Sequence, residues 1–116
     1  MKIEIKNIDE FLQKLGEIDL LTAEEELVLL KTVHEKGADC DEMEKLCWTN
    51  MRFVVSLSSQ YQNRGLKLTE LIPIGVEGLE KAALEYEIGS QQKFMQYAVP
   101  VMRQCLEEAI AMKEIK

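Results

Sequence analysis

Catalysis or metal binding would need a nucleophile with a base, or a set of ligands at working spacing. This chain is poor in both. Its one histidine, His34, has no Cys, Asp or Glu array of metal-binding spacing around it, so neither ligation nor acid–base work is expected of it. Ser56, Ser58 and Ser59 fall mid-helix without a base to activate them. The three cysteines, Cys40, Cys47 and Cys105, are odd in number and lack a CxxC spacing. That pattern favours reduced thiols over disulfides or a zinc site, with Cys47 and Cys105 as small core hydrophobes. Gly75 and Gly78 have neither the preceding strand nor the lysine of a phosphate loop. No catalytic residue, metal or cofactor is expected, and the chain reads as a non-enzyme.

With 116 residues the chain makes one domain, 47% apolar and 30% charged. The net charge of −7 opposes unaided nucleic-acid binding, which depends on neutralising phosphates, and suits a protein partner. No stretch approaches the roughly 20 apolar residues of a membrane span, and MKIEIKN has no apolar signal core. The expectation is a cytoplasmic protein with no membrane contact.

Helical signals dominate the chain, since no convincing strand alternation follows residue 6. Residues 1–6 are expected to fray. Residues 7–37 predict two N-terminal helices. Asn7 with Glu10 opens the first, which carries Phe11, Leu12 and Leu15 and stops at Gly16. Thr22 with Glu25 opens the second, whose inward stripe is Ala23, Leu27, Leu30 and Val33. Asp39 with Glu42 predicts a third and longest helix, running to about Gln62. Its core side is Met43, Leu46, Cys47, Val54, Leu57 and Tyr61, and Trp48, Met51 and Val55 form a second apolar face. A fourth helix covers about Thr69–Tyr86 and a fifth about Ser90–Met112, giving one all-α bundle of about five helices. Gly75 and Gly78 cost about 1 kcal/mol each against Ala inside the fourth, which points to close helix approach. Pro100 predicts an interruption of the fifth helix at Val99-Pro100.

The run from Leu46 to Ala111 carries NMRFVVSLSSQYQNRGLKLTELI at Asn50–Ile72, KFMQYA at Lys93–Ala98 and RQCLEEAIA at Arg103–Ala111. On these motifs the chain resembles region 2 of the primary sigma factors of bacterial RNA polymerase. LLTAEEELVLL at Leu20–Leu30 is similar to the segment preceding that region. The resemblance implies a region 2-like core over 39–112 and a role in transcription. It also implies which residues would act. In the family, aromatic side chains on the fifth helix stack bases of the opened −10 element. A tryptophan pair stands where this chain has Pro100 and Val101, and tyrosines where it has Ile88 and Gln92. Lys93, Tyr97, Arg103 and Gln104 match the motif, although Tyr97 also falls on the apolar stripe. A threonine and an arginine that face DNA are replaced by Glu107 and Glu108. Losing two stacking platforms forfeits roughly 2–6 kcal/mol, about 30- to 10⁴-fold in affinity.

The family also docks the outer face of the fourth helix on the polymerase clamp helices. Glu70 keeps an acid there, whereas Pro73, Ile74, Val76 and Glu80 replace mostly polar residues. Ile74 and Val76 lie off the core stripe and are expected to form, with Glu70, Glu77 and Glu80, a partly apolar protein-binding face. The implied partners are the clamp helices of core RNA polymerase, an anti-sigma factor or a companion sigma subunit, with DNA bound weakly or only within a complex. Since the sequence stops soon after Ala111, no domain reading the −35 element is expected. Two further readings stay open: a partial sigma subunit needing a second chain for promoter DNA, and a helical interaction module unrelated to transcription.

Overall fold

The computed structural model describes residues 1–115, and six helices account for most of them: α1 (Ile8–Leu15), α2 (Ala23–Lys36), α3 (Asp41–Thr49), α4 (Met51–Ser59), α5 (Leu68–Glu85) and α6 (Phe94–Ile115). The fold is all-α. Local chemistry sets several of the starts. The Asn7 side chain accepts from the Glu10 N–H at 3.1 Å. Thr22 and Glu25 close a full capping box, with Thr22 Oγ1 accepting from the Glu25 N–H and Glu25 Oε1 accepting from the Thr22 N–H. Glu70 Oε1 likewise accepts from the Lys67 N–H at the head of α5.

The expected third helix of 39–62 is two helices. Asn50 sits between them in the bridge region (φ −103°, ψ 6°), and its Nδ2 donates to the Leu46 carbonyl at 2.9 Å. Thr49 Oγ1 donates to the Lys45 and Leu46 carbonyls. Two consecutive polar side chains thus bond backbone carbonyls of the preceding turn and stop the ladder. The start also moves: α3 begins at Asp41 after Cys40, without the side-chain cap expected of Asp39.

The core is continuous across α2 to α6. Met43, Leu46, Cys47, Met51, Val54, Leu57 and Tyr61 are buried on the α3–α4 side. They meet Leu71, Ile72, Leu79, Ala82 and Ala83 of α5 and Phe94, Ala98, Met102, Leu106 and Ile110 of α6. The α6 residues recur every four positions, which makes one inward stripe. Helix α5 lies against α2, α3, α4 and α6, so it is covered on most of its circumference. Its glycines permit this. A Cβ at Gly75 would lie 2.9 Å from Ser58 Oγ and Val54 Cγ1, and one at Gly78 would lie 2.8 Å from the Met102 Cα. Both meet the close approach anticipated from their position.

Helix α6 runs unbroken through Pro100, against the expected interruption. The magnitudes explain why. An interior proline costs about 3 kcal/mol, while burying each large apolar side chain of the stripe returns about 1.5–3 kcal/mol. Pro100 and Gln96 both face solvent, so water can solvate the Gln96 carbonyl that the proline leaves unbonded. Residues 1–5 carry no helix, yet Met1, Ile3 and Ile5 pack on the core instead of fraying.

Candidate protein and nucleic-acid interfaces

The two sets of contact residues lie on α5 and α6. On α5 the six expected members separate. Glu70 and Glu77 are exposed, and Pro73 and Ile74 are half-buried, giving a stripe at spacings of three and four. Val76 is not part of it. It is 1% exposed and belongs to the core, which corrects the expectation of an outward valine. Glu80 also turns inward, where its Oε2 lies 3.0 Å from the Met1 α-ammonium. Both corrections follow from the coverage of α5: on a helix packed on several sides, positions beside the predicted stripe are buried too.

On α6 the four members are more tethered than their sequence implies. Arg103 Nη2 donates to Gln60 Oε1 at 3.0 Å and Nη1 to the Tyr61 hydroxyl at 3.1 Å. The Tyr61 hydroxyl in turn donates to Glu107 Oε2 at 2.9 Å. This chain of bonds ties the end of α4 to the middle of α6. It gives Glu107 a structural partner as well as a charge unfavourable to phosphate. Gln104 Nε2 donates to Glu108 Oε1 at 3.0 Å, so this pair also satisfies itself. Tyr97 is half-buried against the Tyr86 ring, with centroids 5.8 Å apart, and its hydroxyl lies 3.5 Å from Glu85 Oε2. Lys93 is exposed, and its backbone N–H donates to Gln96 Oε1 at the start of α6. Pro100 is exposed and Val101 half-buried, so neither offers an aromatic platform. Gln60 and Tyr61 were not legible as partners of Arg103, because nothing local links residues 42 and 43 positions apart.

The groups considered for chemistry have other occupations. His34 Nε2 bonds the Ala83 carbonyl at 2.8 Å and pins α2 to α5. Burial pushes the Cys47 thiol up to about 12 and raises that of Cys105, so both stay protonated at neutral pH. Ser58 Oγ is buried without a partner beside Gly75. Among the described residues no group of three or more His, Cys, Asp or Glu is placed to hold a metal, and no helix is long and apolar enough to cross a membrane.

The described residues thus present helical surfaces on an all-α bundle. No family model matches the chain. Over 101 residues, 87% of its length, it is 37% identical to RNA polymerase sigma factor SigA of Listeria monocytogenes. The same figures hold for RNA polymerase sigma factor SigA of Listeria innocua. The match covers 26% of each relative, so the chain spans about a quarter of their length. The chain is thus similar to one region of those sigma factors.

Proposed function

We propose that this domain is a non-catalytic component of bacterial transcription initiation or its control, working in the cytoplasm through protein contacts, with −10 readout largely lost. One observation carries the reading: the outward side of α6. The positions of the family's stacking pair hold an exposed proline and a half-buried valine, and Glu107 and Glu108 are exposed where DNA would pass. A stacking platform is worth about 1–3 kcal/mol per base, and none is provided there.

Partner contact is assigned to the stripe Glu70, Pro73, Ile74 and Glu77 on α5, an apolar centre between acids that suits a protein surface. The partner is the clamp of core RNA polymerase or a regulator that recognises the same face. A second reading, a partial sigma subunit completed by another chain, draws on Lys93 and Tyr97, which retain family chemistry near the start of α6.

The test has two arms. A fluorescent single-stranded −10 oligonucleotide at physiological salt should give no sequence-dependent anisotropy change with the isolated domain; micromolar, sequence-dependent binding overturns the loss of readout. In the second arm, purified core RNA polymerase should retain the wild type and lose an Ile74→Ala/Glu77→Lys variant of unchanged circular dichroism. Retention of both proteins equally would move the docking face elsewhere.

A further inference from the structure

A groove of about 420 Å³ opens between the N-terminal half of α2 and the turn that leads into α6. Its lining includes Glu26, Leu27 and Leu30 on one side, Tyr86, and Lys93 and Phe94 on the other. Both walls are fixed. His34 holds the far half of α2 to α5, while the Tyr86 hydroxyl donates to the Gln92 carbonyl and Ser90 Oγ donates to the same oxygen. Exposed apolar side chains accompany it on α2 and in the segment just before. Leu27 is 38% exposed, Val28 61% and Leu20 70%, so three large apolar residues stand in water on and just before one helix.

We infer that this groove binds a helical segment of another protein, one that inserts an apolar side chain and presents a lysine or arginine one helical turn away. The charge requirement comes from Glu26. Its carboxylate is half-buried beside apolar groups and has no cationic partner among the described residues. Burial holds its carboxyl above the ordinary value, which is the mark of an anion lacking compensation. A basic side chain arriving with the ligand supplies that compensation. Glu24 and Glu25 in the same first turn reinforce the preference and oppose a phosphate backbone, against which Lys93 is the one cation in the lining. This surface is separate from the α5 stripe and does not depend on its assignment.

The experiment is selection from a random linear peptide library on the immobilised full chain, followed by affinity measurement with synthetic peptides. The expected consensus has an apolar residue with Lys or Arg three or four positions away, a helical spacing. Leu27→Asp should weaken the selected peptides about 30-fold, the scale of a lost apolar anchor. Glu26→Lys should reverse the preference from basic to acidic peptides. If Leu27→Asp loses helicity by circular dichroism, Ala23→Arg at the exposed lip of the groove replaces it and should weaken the same peptides. No enriched class, a consensus without a basic residue, or peptides indifferent to both substitutions overturns the inference. So does a single-stranded oligonucleotide that displaces the peptides with comparable affinity, which would make the groove a nucleic-acid site.

Discussion

Helix α6 presents two sides of very different character. Toward α5 it offers Phe94, Ala98, Met102, Leu106 and Ile110, all at most 4% exposed and meshed with a glycine that brings the backbones together. Toward solvent it offers Pro100, Gln104, Glu107 and Glu108. The inward stripe supplies the packing, and the outward side carries acids and an imino ring. Because side chains four apart share a face while neighbours do not, one side of a helix can be rewritten without unfolding the other. Packing and outward chemistry are therefore separable properties of the same 22 residues.

The strongest way to break this contrast is at the buried seam. Gly78→Val places its branched Cβ against the Met102 backbone, which cannot give way as a flexible side chain would. A loss of about 3 kcal/mol or more is expected in urea denaturation. A loss below about 1 kcal/mol would mean that the seam is looser than its geometry.

Substitution on the solvent side should run the other way. Pro100→Ala restores the N–H that reaches the Gln96 carbonyl and removes the ring, and it is expected to stabilise the domain by about 1–2 kcal/mol. A destabilisation would show that Pro100 contributes packing its exposure does not reveal.

The smallest effect concerns the flank of α5. In the 116-residue chain the Met1 α-ammonium is raised above its ordinary 8.0, chiefly by its hydrogen bond to Glu80. A cation raised on folding contributes fully below the unfolded value and loses that contribution as pH climbs through the folded one. Melting temperature should therefore fall modestly on the alkaline side of pH 8, and Glu80→Gln should flatten that fall. Equal slopes in the two proteins would remove Glu80 from the account.

Much of this was legible beforehand where a local rule decides the outcome. The Thr22–Glu25 box, the Asn7 cap and the contacts of Gly75 and Gly78 depend on short-range geometry, and each is found in place. The list of core residues for α3 and α4 also stands, although Asn50 divides what reads as one helix. An asparagine mid-pattern is only mildly unfavourable, and its bond to Leu46 becomes decisive in company with Thr49. Val76 and Glu80 were misplaced because periodicity defines the centre of a buried face and not its width, which depends on how many neighbours surround the helix. The Pro100 expectation failed for a related reason: an intrinsic penalty was weighed without the burial that opposes it.

The Gln60–Arg103–Tyr61–Glu107 chain makes the C-terminal end of α4 and the middle of α6 behave as the two ends of a strut. Force applied to the turn after α4 is delivered to α6 at its third and fourth turns instead of dissipating in a pliable loop. A binding partner that grips that turn would thus change the pose of α6 without touching it.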